Sequence, residues 1–232
     1  MQRRPSRFLS AALASVLGAA VALAVPAMAS AVEPDLTVKT WERPAPGAAP
    51  SSDEVCTAQA QPVVAGQDPS LLPPSLVECF DTLEDALAHV TGSPVPAAEG
   101  VAVDDRAAVR AAVDSANARS SADARTTAAA ASSLVLGLIH RDASYKGSQT
   151  LLWGKGGNGC FTGSTYGFPN MASFLQNNVI SSAESVAGCW STFYDAYSYG
   201  GDRRNCTPSC ATMGSMDNRA SSIVYRPKGQ LG

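Results

Sequence analysis

The sequence has only two histidines, His89 and His140, and neither a Cys-x-x-Cys nor a His-x-x-x-His spacing in its 232 residues. Zinc sites and most imidazole-based catalysis therefore have little to work with. A Gly-x-Ser-x-Gly elbow is also missing, so no enzyme is expected. Charge is sparse: 16% of residues are Asp, Glu, Lys or Arg, and the formal net charge is −3. That balance offers no basic surface for nucleic acid.

Long apolar runs are equally scarce. The one that exists, Phe8 to Val25, follows Arg3, Arg4 and Arg7 and is broken by Pro26. Ala27-Met28-Ala29 then supplies a small-x-small cleavage pattern, so residues 1–29 read as a signal peptide cut after Ala29. A membrane anchor is the competing reading for an apolar stretch of this length; the short basic flank and the cleavage pattern favour removal. Losing three arginines takes the net charge from −3 to −6. With no second spanning run, the expectation is a secreted, extracellular protein without a membrane partner after cleavage.

Six cysteines remain after that cut: Cys56, Cys79, Cys160, Cys189, Cys206 and Cys210. An even number in an exported chain points to three disulfides, with fifteen possible connectivities. Pairing Cys56 with Cys79 is the simplest arrangement, since both lie alone in the N-terminal part. Cys206 and Cys210 would close the tight Cys-Thr-Pro-Ser-Cys loop, leaving Cys160 for Cys189.

Composition divides the rest of the chain. Residues 30–78 are rich in Pro, Ala, Ser and Gly without a recurring apolar period, and read as extended or disordered. Residues 79–130 read as short helices and a tether. Asp81-Thr-Leu-Glu84 has the form of a capping box, Leu83, Ala86, Leu87 and Val90 share one helical face, and Gly92 and Pro94 end the segment. His89 falls on the polar side of that helix. A second helix is expected over 104–118, with Asp104 and Asp105 at its start. From residue 131 to 226, short apolar runs such as Leu134–Ile139 and Ser222–Tyr225, bounded by Gly, Asn, Asp and Ser, read as strands of an all-β unit. Residues 227–232 are a tail.

The most informative feature is a duplication. Asn177-Asn178-Val-Ile-Ser181-Ser182 and Asp217-Asn218-Arg-Ala-Ser221-Ser222 share the pattern Asx-Asx-x-x-Ser-Ser. Each copy is preceded by an aromatic-x-Gly element, Tyr145-Lys-Gly147 and Tyr199-Gly-Gly201, in the same order, as a repeated supersecondary unit requires. Asx and Ser are also turn formers that bond their own backbone. Their duplication favours a hard-cation site, because calcium takes six to eight oxygens from carboxylates, amides, carbonyls and hydroxyls.

These residues resemble the βγ-crystallin domain, in particular its calcium-binding microbial members. The resemblance covers about 134–226 and implies two Greek-key motifs forming a small β-sandwich. It further implies two calcium ions shared between the hexads. Ser181 and Ser221 would then give hydroxyl ligands, and Asn177, Asn178, Asp217 and Asn218 would give side-chain or main-chain oxygens. Arg141 and Asp195 would each offer a main-chain carbonyl from a folded hairpin. Tyr145, Gly147, Ser182, Tyr199, Gly201 and Ser222 would be structural. With Asp217 the one anionic Asx in the hexads, binding is expected to be weak, around 10⁻⁴–10⁻³ M.

Two departures from that pattern stand out. Gly147 to Asn177 spans 30 positions against 16 from Gly201 to Asp217, which puts about fourteen extra residues in the first motif, within Gly154 to Asn170. His140 replaces an aromatic beside the hairpin and is expected as a stacked structural imidazole. The Cys-bearing repeats also resemble secreted bacterial metalloproteinase inhibitors of the same fold. The alternative partner is accordingly an extracellular proteinase, met by the inserted loop.

Overall fold

A computed structural model describes residues 54–126, 133–156, 159–174 and 176–231. The expected signal peptide, residues 30–53 of the expected extended segment and the part of the tether at 127–132 lie outside the described residues. In chain order the elements are β1 (Val55–Gln59), β2 (Gln61–Pro62), β3 (Val77–Phe80), α1 (Leu83–Thr91) and α2 (Arg106–Thr126). There follow β4 (Ser133–Asp142), β5 (Lys146–Lys155), β6 (Tyr166–Phe168) and β7 (Ser182–Ser185). The last four are β8 (Cys189–Tyr194), β9 (Arg203–Cys206), β10 (Ser209–Cys210) and β11 (Ser222–Pro227).

β4 to β7 form one Greek-key motif and β8 to β11 the second. Each motif lends its third strand to the other's sheet: one sheet runs β10-β7-β4-β5-β1-β3 and the other β2-β6-β11-β8-β9. This is the two-motif sandwich expected for the C-terminal region. Between the sheets lie Leu136, Ile139, Leu152, Phe168, Ile180, Phe193, Ile223 and Tyr225. Gly137 has no side chain because Tyr225 Oη and the Glu184 carbonyl occupy the place of a Cβ.

The structure extends this sandwich where the sequence reading stopped it. Residues 55–62, expected as extended or disordered chain, form β1, which pairs in parallel with β5, and β2, which pairs with β6. β3 then pairs antiparallel with β1. β1 escapes a periodicity search because it is buried on both faces: Val55, Cys56, Thr57 and Ala58 are all buried, so no polar alternation marks the strand. The outer face of the six-stranded sheet carries a second core, in which Leu83, Leu87 and Val90 of α1 and Val109 and Val113 of α2 meet Val135, Leu138, Leu151 and Trp153. The described residues from 54 onward are thus layered helices on sheet on sheet.

α1 has the expected apolar face, with Leu83, Ala86, Leu87 and Val90 buried and Gly92 in the left-handed conformation at its C-cap. Its cap is Thr82 rather than Asp81: Thr82 Oγ1 accepts from Asp85 N–H at 3.1 Å. Asp105 caps α2, accepting from Ala107 and Ala108 N–H, and the helix continues to Thr126, eight residues past the expected end. Among the described residues no helix is long and apolar enough to cross a membrane.

All six cysteines are paired, Cys56–Cys79, Cys160–Cys189 and Cys206–Cys210. The first joins directly opposed residues of β1 and β3. The second pins a short 3₁₀ excursion at Gly159–Thr162 to the start of β8. The expected insertion is only partly an insertion: Tyr166–Phe168, inside it, is the third strand of the first motif. Three disulfides suit an oxidising, non-cytoplasmic compartment.

Candidate metal centre

Each motif begins with a hairpin whose tip folds back on the sheet. Ser144 and Tyr145 in the first, and Ser198 and Tyr199 in the second, adopt left-handed φ values of 54–64°. One serine holds each tip. Ser182 Oγ donates to the Asp142 carbonyl at 2.6 Å and accepts from Tyr145 N–H at 2.9 Å. Ser222 Oγ donates to the Ala196 carbonyl at 2.7 Å and accepts from Tyr199 N–H at 3.0 Å. Gly147 and Gly201 have φ of 75° and 79°, and a Cβ on either would run into the carboxylate of Asp142 or Asp195. The serines and glycines therefore shape the two loops in the same way.

The two hexads lie against one another. Asn178 N–H donates to the Ala220 carbonyl and Asn218 N–H to the Ile180 carbonyl, each at 3.0 Å. Second residue meets fourth residue in both directions, which is the reciprocity of a pseudo-two-fold axis. Asn178 and Asn218 both take left-handed φ, 57° and 53°, a conformation asparagine tolerates better than most residues. Ser181 N–H donates to the His140 carbonyl at 3.0 Å and Ser221 N–H to the Tyr194 carbonyl at 2.7 Å. Those bonds bring each serine beside the residue next along the strand, Arg141 in the first motif and Asp195 in the second.

These bonds set the two hexads against each other, with Arg141 and Asp195 each following the residue whose carbonyl meets Ser181 or Ser221. Ser221 Oγ donates to Asn178 Oδ1 at 3.4 Å, a side-chain contact between the hexads. Asp217 is exposed and its carboxylate accepts from Asn218 Nδ2 at 3.3 Å. Asn177 Oδ1 is buried and has no hydrogen-bond partner; an orphaned buried acceptor is costly unless a cation or water satisfies it. Among the described residues no group of three or more His, Cys, Asp or Glu converges. The available donors are hydroxyls, amides and carbonyls, which fit a hard cation better than a transition metal.

Three residues that sequence reasoning did not assign lie close by. Arg219, the third residue of the second hexad, places Nη2 2.5 Å from Asp195 Oδ2 and 3.7 Å from Asp202 Oδ2. Glu184 on β7 is 3% exposed and receives Arg106 of α2 through Nη2 at 3.1 Å and Nε at 3.4 Å. Burial pushes the Glu184 carboxyl up, but His140, Arg106 and their charges outweigh it and hold it below the usual range. No signal could have paired Arg106 with Glu184, which stand 78 positions apart. His140 is buried, edge-on to Tyr145 at 5.9 Å rather than stacked, with Nε2 3.7 Å from Glu184. His89 is not a free surface residue: it lies 3.2 Å from Glu78 and packs near Phe80 and Trp153.

No protein-family model and no curated protein matches the chain. Solved structures do. The N-terminal domain of protein S is 22% identical over 40% of this chain and 96% of its own, with a TM-score of 0.32. A βγ-crystallin domain from Flavobacterium johnsoniae is 21% identical over 41% of this chain and 99% of its own, TM-score 0.31. A βγ-crystallin from Ciona intestinalis is 18% identical over 39% and 96%, TM-score 0.30.

Proposed function

We propose that this chain is a secreted calcium-binding protein with a structural or interaction role. The observation that carries the reading is the reciprocal pairing of the two hexads, with Asn177 Oδ1 in the first of them buried and unpartnered. Ser181 and Ser221 would contribute hydroxyls, Arg141 and Asp195 main-chain carbonyls, and the four Asx residues amide, carboxylate or main-chain oxygens. Calcium would bind two parts of the chain that the apo fold already holds together. Little ligand charge is present, so affinity in the range of extracellular modules follows, with stabilisation by mass action at abundant calcium. Calorimetric titration of the purified chain tests this. Heat of binding that disappears in Ser181→Ala/Ser221→Ala supports it; an unchanged isotherm in the double variant removes the assignment.

A second reading is inhibition of an extracellular metalloproteinase. What favours it is Phe161, 76% exposed on the Gly159–Thr162 excursion that Cys160–Cys189 ties to β8. A pre-ordered loop presenting one large side chain is what an inhibitor needs. Inhibition of a panel of extracellular metalloproteinases by the wild type but not by Phe161→Ala would establish it, and no inhibition at micromolar protein would remove it.

A further inference from the structure

We infer that the two clamps are chemically unequal and that Arg219 is a built-in competitor for the cation at the second one, an inference that rests on the calcium reading above. The hexads differ most at their third position, Val179 in one and Arg219 in the other. Arg219 is held at three points: Nη2 against Asp195 and Asp202, and Nη1 donating to the Ser215 carbonyl at 3.0 Å. Asp195 is also the residue that follows Tyr194, whose carbonyl accepts from Ser221 N–H. Its carboxylate has little freedom to turn away, because it fills the space left by the missing Cβ of Gly201.

The Asp195 carboxylate, an anion beside the second clamp, is therefore already paired with a guanidinium. Arginine cannot escape by deprotonating. A calcium ion arriving beside Asp195 meets both a neutralised carboxylate and a fixed positive charge, and its binding requires that pair to loosen. In the first hexad the place of Arg219 is taken by the uncharged Val179. Arg219 thus acts as a resident substitute cation that holds the second loop in shape at low calcium and sets the affinity of that clamp.

The test is calcium titration calorimetry on the purified chain and on Arg219→Gln, with Lys228→Gln as a variant losing equal charge outside both hexads. The expected result is that Arg219→Gln tightens one of two sites by about tenfold, about 1.4 kcal/mol, while the other site and the Lys228→Gln isotherm stay as in the wild type. Asp195→Asn added to Arg219→Gln should reverse the gain. Two equal sites untouched by Arg219→Gln would overturn this inference and leave the calcium reading standing. An equal gain in Lys228→Gln would also overturn it, as a general charge effect. Absence of binding in every protein would overturn both readings together.

Discussion

Arg106→Met isolates the contact that fastens the helical layer to the sandwich. Arg106 reaches from the first turn of α2 to Glu184, and its Cζ lies 3.5 Å from the centroid of the Tyr145 ring at the tip of the first hairpin. Methionine retains much of the apolar stem and removes the fork. Stripping one partner from a buried ion pair costs about 3–5 kcal/mol. Two features lower that figure here. Arg110 Nη1 remains 3.6 Å from Glu184, and Arg106 is itself 48% exposed. A loss of about 2 kcal/mol follows, or roughly 4–8 °C in Tm for a domain of this size.

The pH dependence gives the prediction its sharper edge. The Glu184 carboxyl is held below its ordinary value of 4.5 in the fold. Its contribution is therefore complete above that value and lost as pH falls through the lower folded value. The penalty of Arg106→Met should be full at pH 7 and shrink as pH falls through the lowered folded value, where the wild type loses the same charge. Thermal melts in chelator at pH 7 and pH 3, read by circular dichroism, measure it. A variant as stable as the wild type at pH 7, or a deficit of the same size at both pH values, would refute the reasoning.

Three further outcomes follow from the same structure. Ser222→Ala removes the hydroxyl that both donates to Ala196 and accepts from Tyr199; leaving those backbone groups unpaired should cost about 2–4 kcal/mol in denaturant unfolding, and Ser182→Ala should cost a similar amount. Cys56→Ser/Cys79→Ser opens a loop of sequence separation 23 and should lower stability by about 3 kcal/mol without altering the calcium isotherm. A fragment beginning at residue 131 loses β1, α1 and α2, baring the β5 edge together with Val135, Leu138, Leu151 and Trp153. It should aggregate or self-associate in size-exclusion chromatography while the whole chain does not.

How much of this was legible in the sequence depended on whether a residue's partner was local. α1 could be read almost residue by residue, because cap, apolar face and terminating glycine all lie within twelve positions. The hexads were readable because duplication turns a weak turn signal into a specific one. β1 was not, since a strand covered on both faces loses the alternation that marks a half-buried one. β4 carried a trace of the helical layer: Leu134 to Ile139 is a nearly unbroken apolar run, and a bulge at Leu136 lets Leu136 and Ile139 face the inter-sheet core while Val135 and Leu138 face the helices. Nothing in Ser-Ala-Glu-Ser marks Glu184 as buried, and the hexad pattern leaves the third position, Arg219, unassigned. Their roles depend on partners 78 and 24 positions away, which no local pattern encodes.

The most direct test of the account is residue-resolved. Amide chemical shifts of the purified chain, followed by NMR as calcium is added, should move in two groups: 177–182 with 217–222, and the hairpin residues around Arg141 and Asp195. Those shifts should saturate at sub-millimolar to millimolar calcium. Shifts scattered over exposed carboxylates elsewhere, or none at the two hexads at millimolar calcium, would contradict the claim that the paired turns are a cation site.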